Sequence, residues 1–394
     1  MMRRSPVFFV ALLVLSSLAG FGATESAHPS VRFATFNASL YRSSLGELVE
    51  DLESGTDAQA RVIAEIIQQV RPDVLLINEF DYDEQGRAAA AFRDLYVAVG
   101  QNGSAPILDY DYVFIAPSNT GVPSGYDLDN SGGTGDPGDA FGFGEFEGQY
   151  GMVVFSRYPF ADSAIRTFQT FLWADLPGAL LPEDWYTQEE LRIVRLSSKS
   201  HWDIPVNIEG DVIHVLASHP TPPVFDGPED ANGRRNHDEI VFWAKYVDPQ
   251  LGSTLYDDKG QTGGLKESAH FMIMGDMNAD PFDGDSTQQP ILQLLESPWV
   301  NREQPPESEG SVEQAALQGR ANRMHVGDPA QDTADFSEST GNLRADYVLP
   351  SSSLILVGSG VFWPLASDPL FSLVGTYPFP GSDHRLVWAD VRIP

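Results

Sequence analysis

The chain has 394 residues, enough to bury a large core, and its aliphatic and aromatic content is that of a globular protein. Its 56 acidic residues against 24 Lys and Arg give a formal net charge of −32, which excludes a protein that coats nucleic acid or anionic membranes through its overall charge. An enzyme that admits a phosphate group through a local, metal-filled opening is compatible with that charge. The absence of cysteine excludes disulfides, thiolate metal sites and cysteine nucleophiles.

The first residues have the organisation of a secretion signal. Arg3 and Arg4 form a short basic start, and the apolar stretch VFFVALLVLSSLAGFG follows. This pattern predicts a signal peptide over residues 1–27, cleaved between Gly20 and Ala27, and a mature protein exported to the periplasm or the exterior. The alternative is a retained N-terminal anchor. No later stretch is long and apolar enough to span a bilayer, so no transmembrane segment is expected in the mature protein.

After the signal, short apolar strands alternate with helical segments. The segment 31–37 predicts a strand, 57–70 a helix with Asp57 as its N-cap, and the segment after Pro72 a buried strand that ends at Glu79. Further predicted strands cover 112–117, 151–159, 211–220, 270–278, 345–350, 353–358 and 384–393, and further predicted helices cover 236–246 and 289–295. This pattern favours a single α/β or α+β domain over residues 28–394.

Two long segments interrupt the pattern and are interpreted as insertions. The first, near 117–149, is rich in Gly and Asp, and the second, near 298–342, is polar. Asp127 and Asp129 imitate the opening of a calcium loop, but Gly138 occupies the twelfth position where such a loop places Glu. The first insertion therefore predicts either a structural Ca²⁺ site at Asp127 and Asp129 or a plain flexible surface loop.

Four apolar strands end on side chains able to bind a metal ion or a phosphate. These are Asn37, Glu79, His219 and Asp276. In α/β frameworks, strand ends on one edge converge and sites are built there. Asn278 follows Asp276 by two residues, so the two share a face if the extended conformation persists. Each position alone has an ordinary explanation, since Asn and Asp cap turns and His is satisfied by the backbone, but together they indicate one shared site.

The adjacent pair Asp383 and His384, in the stretch GSDHRLVW, precedes the last predicted strand. Alone, the pair is typical of a polar turn, since Gly, Ser and Asp are turn residues. Asp346, in RADYVLP, is a further strand-associated carboxylate. If the strand ends converge, these three side chains belong to the same site as the four above.

The motifs TFN, INEF, SHP, GDMNADP, RADYVL and SDHRLV occur in this order. Taken together, they resemble the endonuclease/exonuclease/phosphatase superfamily, the deoxyribonuclease I-like metal-dependent phosphohydrolases, from about Val31 to the C-terminus. The resemblance implies an α/β fold: a four-layer α/β sandwich, with two mixed β-sheets packed face to face and helices outside.

The same resemblance implies a divalent-metal site. Glu79 would be the main ligand of Mg²⁺ or Mn²⁺, with Asn37 beside it, and Asp383 would complete or orient the hydrated metal. A hard cation suits oxygen ligands and offsets the charge that develops on a phosphate ester during attack.

It also implies the catalytic groups. Asp276 and Asn278 would bind the attacking water and a phosphate oxygen, His384 would be the base, and Asp346 would hold it. His219 would donate to the phosphate or to the leaving oxygen. A His–Asp pair fixes the imidazole tautomer and raises its basicity, while a second His can act as acid.

Four further residues are candidates for binding substrate. Tyr150 and Arg157 match the stretch in which members of the superfamily place a phosphate-contacting Tyr and an important Arg, and an ion pair that supports the strand is the alternative for Arg157. Arg234 and Arg235 follow His219 and could grip a second phosphate oxygen bidentately.

The expected activity is that of an exported, divalent-metal-dependent phosphoesterase that hydrolyses phosphomonoester or phosphodiester bonds by metal-assisted attack of water. An extracellular nuclease acting on DNA or RNA is one alternative, although the acidic composition predicts no extended basic groove for nucleic acid. A secreted binding protein that has lost catalysis is the other.

Overall fold

The computed structural model of the protein describes residues 30–102 and 106–394. The predicted signal peptide lies outside the described residues. Within them, no helix has both the length and the apolar character needed to cross a membrane.

Two mixed sheets form the centre of the fold. The first sheet consists of β1 (Val31–Leu40), β2 (Val74–Phe80), β3 (Tyr112–Phe114), β4 (Met152–Ser156), β12 (Ile355–Val361) and β13 (Val387–Arg392). The second consists of β5 (Arg166–Thr167), β6 (His201–Ile208), β7 (Asp211–Ser218), β8 (His270–Asp276) and β11 (Asp346–Pro350). The spatial order of the strands is β12-β13-β1-β2-β4-β3 in the first sheet and β11-β8-β7-β6-β5 in the second. A separate two-stranded ladder pairs β9 (Ala334–Asp335) with β10 (Asn342–Leu343).

The helices lie outside the sheets or in the connections. They are α1 (Glu47–Glu53), α2 (Ala58–Val70), α3 (Arg87–Phe92), α4 (Ala231–Tyr246), α5 (Leu292–Leu295), α6 (Glu309–Gln318) and α7 (Phe371–Val374). Helix α2 begins where the sequence predicts, because the Asp57 side chain accepts a hydrogen bond of 2.7 Å from the backbone N–H of Ala60.

The alternation of side chains along the strands creates the layers. In β2, Leu75 and Ile77 pack with the residues of α1, α2 and α3, whereas Val74 and Leu76 face the second sheet. Strand β8 alternates in the same way, with one face against α4 and the other against the first sheet. Because successive side chains of a strand point to opposite faces, each sheet is buried on both sides. The predicted four-layer α/β sandwich is confirmed.

Several elements differ from the sequence-based expectations. Strand β6 was not predicted; its sequence HWDIPVNI contains Pro205, which obscures the strand pattern, yet the strand pairs with β7 along its whole length. Helix α4 begins at Ala231 rather than at residue 236, and the helix predicted over 289–295 is reduced to the single turn of α5.

The two predicted insertions are folded parts of the structure. The Gly/Asp-rich segment is closed on itself by bridges between Thr120 and Gly142 and between Pro123 and Ala140. The polar segment contains α6, β9 and β10, and it pairs with the C-terminal motif through a bridge between Ala334 and His384. Both segments therefore contribute walls to the end of the sandwich where the predicted site residues lie.

The interface between the two sheets should carry much of the stability. We expect Val215→Ala to lower the free energy of unfolding by about 2 kcal/mol, because it removes buried methyl groups and leaves a cavity. Val215 is fully buried between the sheets, whereas Val212, on the same strand, is 37% exposed. Val212→Ala is the matched control and should change the free energy by less than about 0.5 kcal/mol. Equal losses in urea unfolding of the two variants would contradict this assignment.

Candidate active site

The site lies where the carboxyl ends of parallel strands from both sheets meet. Strands β1 and β2 are parallel neighbours in the first sheet, and β7 and β8 are parallel neighbours in the second. Asn37 and Glu79 therefore come to one edge of the first sheet, and His219 and Asp276 to the adjoining edge of the second. The side chain of Asn37 donates to Asp276 Oδ2 over 3.0 Å, which joins the two edges directly.

Asp276 Oδ2 is the point on which the polar side chains converge. Besides Asn37, His219 Nε2 lies 3.4 Å from this oxygen and His384 Nε2 lies 3.7 Å from it. The other oxygen, Oδ1, accepts a hydrogen bond of 2.9 Å from the backbone N–H of Asn278. Burial raises the pKa of Asp276, and the charge of Asp346 raises it further, while His384 and Asn37 oppose the shift. The carboxylate is thus placed where an electropositive ligand would stabilise it.

His384 is held from behind by a buried carboxylate. Its Nδ1 lies 2.8 Å from Asp346 Oδ2, an oxygen that also accepts a bond of 2.8 Å from the hydroxyl of Thr333. Burial by itself lowers the pKa of His384, but Asp346, Asp276 and Asp383 together raise it well above its ordinary value. The pair predicted from two distant motifs is therefore formed, and Nε2 is the ring nitrogen directed at Asp276.

His219 has the opposite electrostatic environment. Burial lowers its pKa well below the ordinary value, and the positive charges of Lys199 and His384 lower it further. The imidazole of His219 is therefore neutral in this environment and offers a neutral N–H rather than a full positive charge.

Glu79 stands at the end of β2 with its backbone in the left-handed region, at φ 56°. Non-glycine residues rarely adopt this conformation, which is often found where the surrounding structure holds a functional residue in place. Its side chain lines the cavity together with Asp383. Burial raises the pKa of Glu79, and Asp276 and Asp383 add to that shift, while His384 and Asn37 oppose it. Asp276 and Asp383 are thus close enough to Glu79 to repel its charge.

The acidic groups fit a divalent cation. Ligand atoms of Asp276, Asp346 and His384 all lie within 4.8 Å of one another. Asp346 Oδ1 is buried and has no hydrogen-bond partner in the described part of the chain. Carboxylate oxygens are the ligands that hard cations such as Mg²⁺ and Mn²⁺ prefer, and a cation would offset the repulsion that raises the pKa of Glu79. The group within 4.8 Å differs from the predicted ligand set of Asn37, Glu79 and Asp383. Of that set, Asn37 contacts Asp276, while Glu79 and Asp383 line the same cavity.

The four predicted substrate-binding residues do not all line the cavity. Tyr150 lines the cavity beside Tyr41, with ring centroids 4.7 Å apart, and burial raises its pKa to about 12. Arg157 lies elsewhere: it follows β4 and pairs with Asp73 Oδ1 over 2.7 Å, beside the start of β2. The ion-pair alternative therefore describes Arg157, and its assignment to substrate is corrected.

The two arginines of α4 also require correction. Arg234 is not among the residues that line the cavity. Arg235 does line it, but its guanidinium donates to the backbone carbonyls of Phe141, Arg195, Leu196 and Ser197. Its Nε and Nη2 groups are used to hold these loops, and each edge of a guanidinium that binds phosphate bidentately includes one of them, so neither arginine is arranged for the predicted bidentate grip.

Sequence reasoning missed Lys199 and Glu239. Lys199 lines the same cavity, and burial lowers its pKa, while the carboxylates of Glu239, Glu79 and Asp276 oppose that shift. Lys199 precedes β6, the strand that was not predicted, so no strand-end signal marked it. The only available signal was a lysine in the stretch LSSKSHWD of a chain that has few lysines.

The cavity has a volume of about 1590 Å³ and extends beyond the catalytic side chains. Part of its lining is apolar or aromatic, including Phe141, Phe143, Trp185, Tyr186, Val224 and Phe225. Another part is acidic, including Asp129, Asp136, Asp226, Glu229, Asp283 and Asp285. The predicted Gly/Asp-rich insertion and the loop after His219 supply much of both parts.

The predicted calcium loop contains a cluster of carboxylates. Ligand atoms of Asp127, Asp129 and Asp139 lie within 4.8 Å of one another, so Asp139 rather than Gly138 supplies the third acidic group. The two oxygens of Asp139 already accept bonds from the backbone N–H groups of Leu128 and Gly135. The cluster could hold a cation, and Ca²⁺ at this position stays a prediction.

Comparison with known proteins agrees with the fold. A model of the Endonuclease/Exonuclease/phosphatase family matches residues 34–384. Among curated proteins, none matches the chain. A solved endonuclease/exonuclease/phosphatase from Beutenbergia cavernae is similar in structure, with a TM-score of 0.50 and 18% identity over 92% of this chain and 72% of that one. A sphingomyelinase C from Streptomyces griseocarneus has a TM-score of 0.45 and 14% identity over 92% of this chain and 99% of that one. The family match covers most of the sequence and includes every strand end that forms the site, so the chain belongs to the endonuclease/exonuclease/phosphatase family.

Proposed function

We propose that the protein is an exported, divalent-metal-dependent phosphoesterase that hydrolyses phosphomonoester or phosphodiester bonds by attack of water. The observation that carries the proposal is the convergence of Asn37, His219 and His384 on Asp276 Oδ2, at 3.0, 3.4 and 3.7 Å, inside a cavity. An amide, two imidazoles and a carboxylate around one point can position a water molecule and a phosphate and move a proton between them.

Glu79, Asp276 and Asp383 are the side chains proposed to hold the metal, with Asn37 as a neighbouring amide. When bound, Mg²⁺ or Mn²⁺ supplies a Lewis acid to the phosphate oxygens and offsets the negative charge of the carboxylates around it. The acidic composition of the site supports this role, because burial and the charges of Asp276 and Asp383 raise the pKa of Glu79, and a cation would oppose that shift.

The two histidines take different parts in the proposal. His384 donates from Nδ1 to Asp346, so Nε2 is the nitrogen that would accept the proton of the attacking water. It does so in the deprotonated form of the ring, and a bound cation would favour that form by offsetting the carboxylates that raise the pKa of His384. His219 is kept neutral by burial and donates an N–H to a phosphate oxygen or to the leaving oxygen. Asn278, whose backbone N–H holds Asp276 Oδ1, keeps that carboxylate oriented towards the other groups.

The cavity lining favours one class of substrate over the nuclease alternative. Its acidic side chains repel a polyanion, and its aromatic and apolar side chains can pack against an organic group attached to one phosphate. We therefore favour an ester that carries a single phosphate. A panel of p-nitrophenyl phosphate, bis-p-nitrophenyl phosphate, plasmid DNA and sphingomyelin, each with Mg²⁺, Mn²⁺ or Ca²⁺, tests the proposal. Cleavage of DNA alone would support the nuclease, and no turnover with any metal would support the inactive binding protein.

Replacing Glu79 should weaken metal binding. We expect Glu79→Gln to lower the affinity for Mn²⁺ by about tenfold or more and to raise the metal concentration needed for half-maximal turnover, because it removes a charged oxygen ligand. Calorimetric titration with Mn²⁺ and a metal-dependent rate assay measure the two effects. Glu84→Gln, on the exposed loop that follows β2, is the control and should leave both unchanged. Unaltered Mn²⁺ affinity in Glu79→Gln, or full activity in the presence of chelator, would refute the assignment.

Removing His384 or its partner should slow turnover. We expect His384→Ala and Asp346→Asn each to lower kcat about a hundredfold or more, and the double variant to be little worse than the worse single one, because the pair acts as a unit. Asp346 raises the pKa of His384, so Asp346→Asn should also move the acid limb of kcat/KM to lower pH.

The control for this experiment is His325→Ala, because His325 does not line the cavity. Its kcat and pH profile should match those of the unmodified protein. If His384→Ala and Asp346→Asn instead gave additive losses of stability with an unchanged pH profile, the pair would be a structural turn.

Export is the remaining part of the proposal, supported by the basic start and the apolar stretch 7–22. Expression of the full chain in a bacterial host should give a mature protein that begins near residues 23–28, as determined by N-terminal sequencing of the periplasmic or culture fraction. An intact Met1 in cytosolic material would contradict export, and an intact Met1 in the membrane fraction would support the retained anchor.

A further inference from the structure

Lys199 is a buried cation that no predicted role explains. It lies in the turn before β6, is 7% exposed, and lines the cavity together with His219, Asp276 and Glu79. We propose that Lys199 binds a non-bridging oxygen of the substrate phosphate, on the side of the cavity where His219 lies. This inference rests on the proposed phosphoesterase function and assigns a further substrate-binding residue to it.

The first support is that the ammonium group has no protein partner. Lys199 Nζ makes no hydrogen bond and no ion pair within 4.0 Å to any of residues 30–102 and 106–394, and it opens into the cavity rather than being fully enclosed. Burial lowers the pKa of Lys199, while the charges of Glu239, Glu79 and Asp276 oppose that shift. Burying a charged group without a partner is costly, so such groups are normally paired. An ammonium has three N–H donors, and a phosphate oxygen is an acceptor that satisfies them with a charge-assisted bond.

The second support is that the backbone of Lys199 is fixed relative to His219. Glu239, buried on α4, accepts a bond of 2.8 Å from the backbone N–H of Ser198 at Oε1 and one of 2.6 Å from the backbone N–H of Thr221 at Oε2. Ser198 immediately precedes Lys199, and Thr221 follows His219 by two residues. One carboxylate therefore holds both loops, and the relative position of the lysine and the histidine is set before substrate arrives.

The third support comes from the other side-chain cation along the cavity. Among the described residues that line it, Lys199 and Arg235 are the lysine and arginine side chains. Nε and Nη2 of Arg235 donate to four backbone carbonyl groups, so Nη1 is its one guanidinium nitrogen without a partner among the described residues. A phosphate entering the site would therefore meet the three donors of the Lys199 ammonium, whereas Arg235 can offer Nη1 alone.

The test compares Lys199→Met with Lys199→Arg and with Lys266→Met, whose lysine is exposed and does not line the cavity. With whichever ester of the panel the unmodified protein turns over, we expect Lys199→Met to lower kcat/KM about a hundredfold, as expected for a donor lost from a charged transition state. We also expect competitive inhibition by inorganic phosphate to weaken about tenfold or more, whereas Mn²⁺ affinity stays unchanged. Lys199→Arg should recover part of both losses, and Lys266→Met should show neither.

A purely structural role would give a different pattern. If Lys199→Met lowered the melting temperature and kcat but left the inhibition constant of phosphate unchanged, or if it changed neither kinetic quantity, the inference would be overturned. Lys199→Gln, which keeps a polar side chain, replaces Lys199→Met if that variant does not fold. Calorimetric binding of inorganic phosphate to the Mn²⁺-loaded protein separates this inference from the proposed function. Loss of phosphate binding in Lys199→Met supports the inference even if no ester is turned over, and equal binding overturns it.

Discussion

The hydrogen bond from Asn37 to Asp276 Oδ2 joins the first sheet to the second at the edge where their parallel strands end. A second connection lies beside it, because Asn78 Oδ1 accepts from the backbone N–H of Asp276 and Asn78 Nδ2 donates to the carbonyl of Ser218. Buried polar groups must be paired, so these bonds fix one register between two otherwise apolar sheet faces. The histidines are then placed relative to a carboxylate that cannot shift independently of either sheet.

The burial that fixes the positions of these site residues also leaves the negative charges of their carboxylates poorly compensated. Burial raises the pKa of Glu79 and Asp276, and Asp346 keeps one oxygen without a hydrogen-bond partner among the described residues. A protein selected only for stability would not retain such an arrangement, because each unpaired buried charge reduces the free energy of unfolding. An electrostatic imbalance of this kind is expected where a charged ligand completes the site. Lys199, a buried residue whose ammonium faces the cavity, is its cationic counterpart.

Much of the site could be predicted because strand ends carry a local signal. A run of apolar residues that stops on Asn37, Glu79, His219 or Asp276 marks both the strand and the residue at its end, and the order of the motifs indicated the family. Lys199 and Arg235 have no such signal. Lys199 lies 20 residues before His219, in a loop that is held by the Glu239 carboxylate. Arg235 follows His219 more closely in sequence, but its Nε donates to the backbone carbonyl of Leu196. Which way a loop side chain points is decided by long-range contacts that no local pattern encodes.

The connections between β9 and the C-terminal motif have a consequence for how this enzyme family can diversify. The backbone N–H of Asp335 donates to the carbonyl of Asp383, and the backbone N–H of Arg385 donates to the carbonyl of Thr333. The hydroxyl of Thr333 in turn donates to Asp346 Oδ2. The polar segment near 298–342, which the sequence predicts to be an insertion, is thus hydrogen-bonded to the strands and loops that carry both Asp346 and His384. Such a segment cannot be exchanged between relatives as an independent module. A change that shifts this segment would therefore also shift Asp346 and His384, and with them the geometry around Asp276.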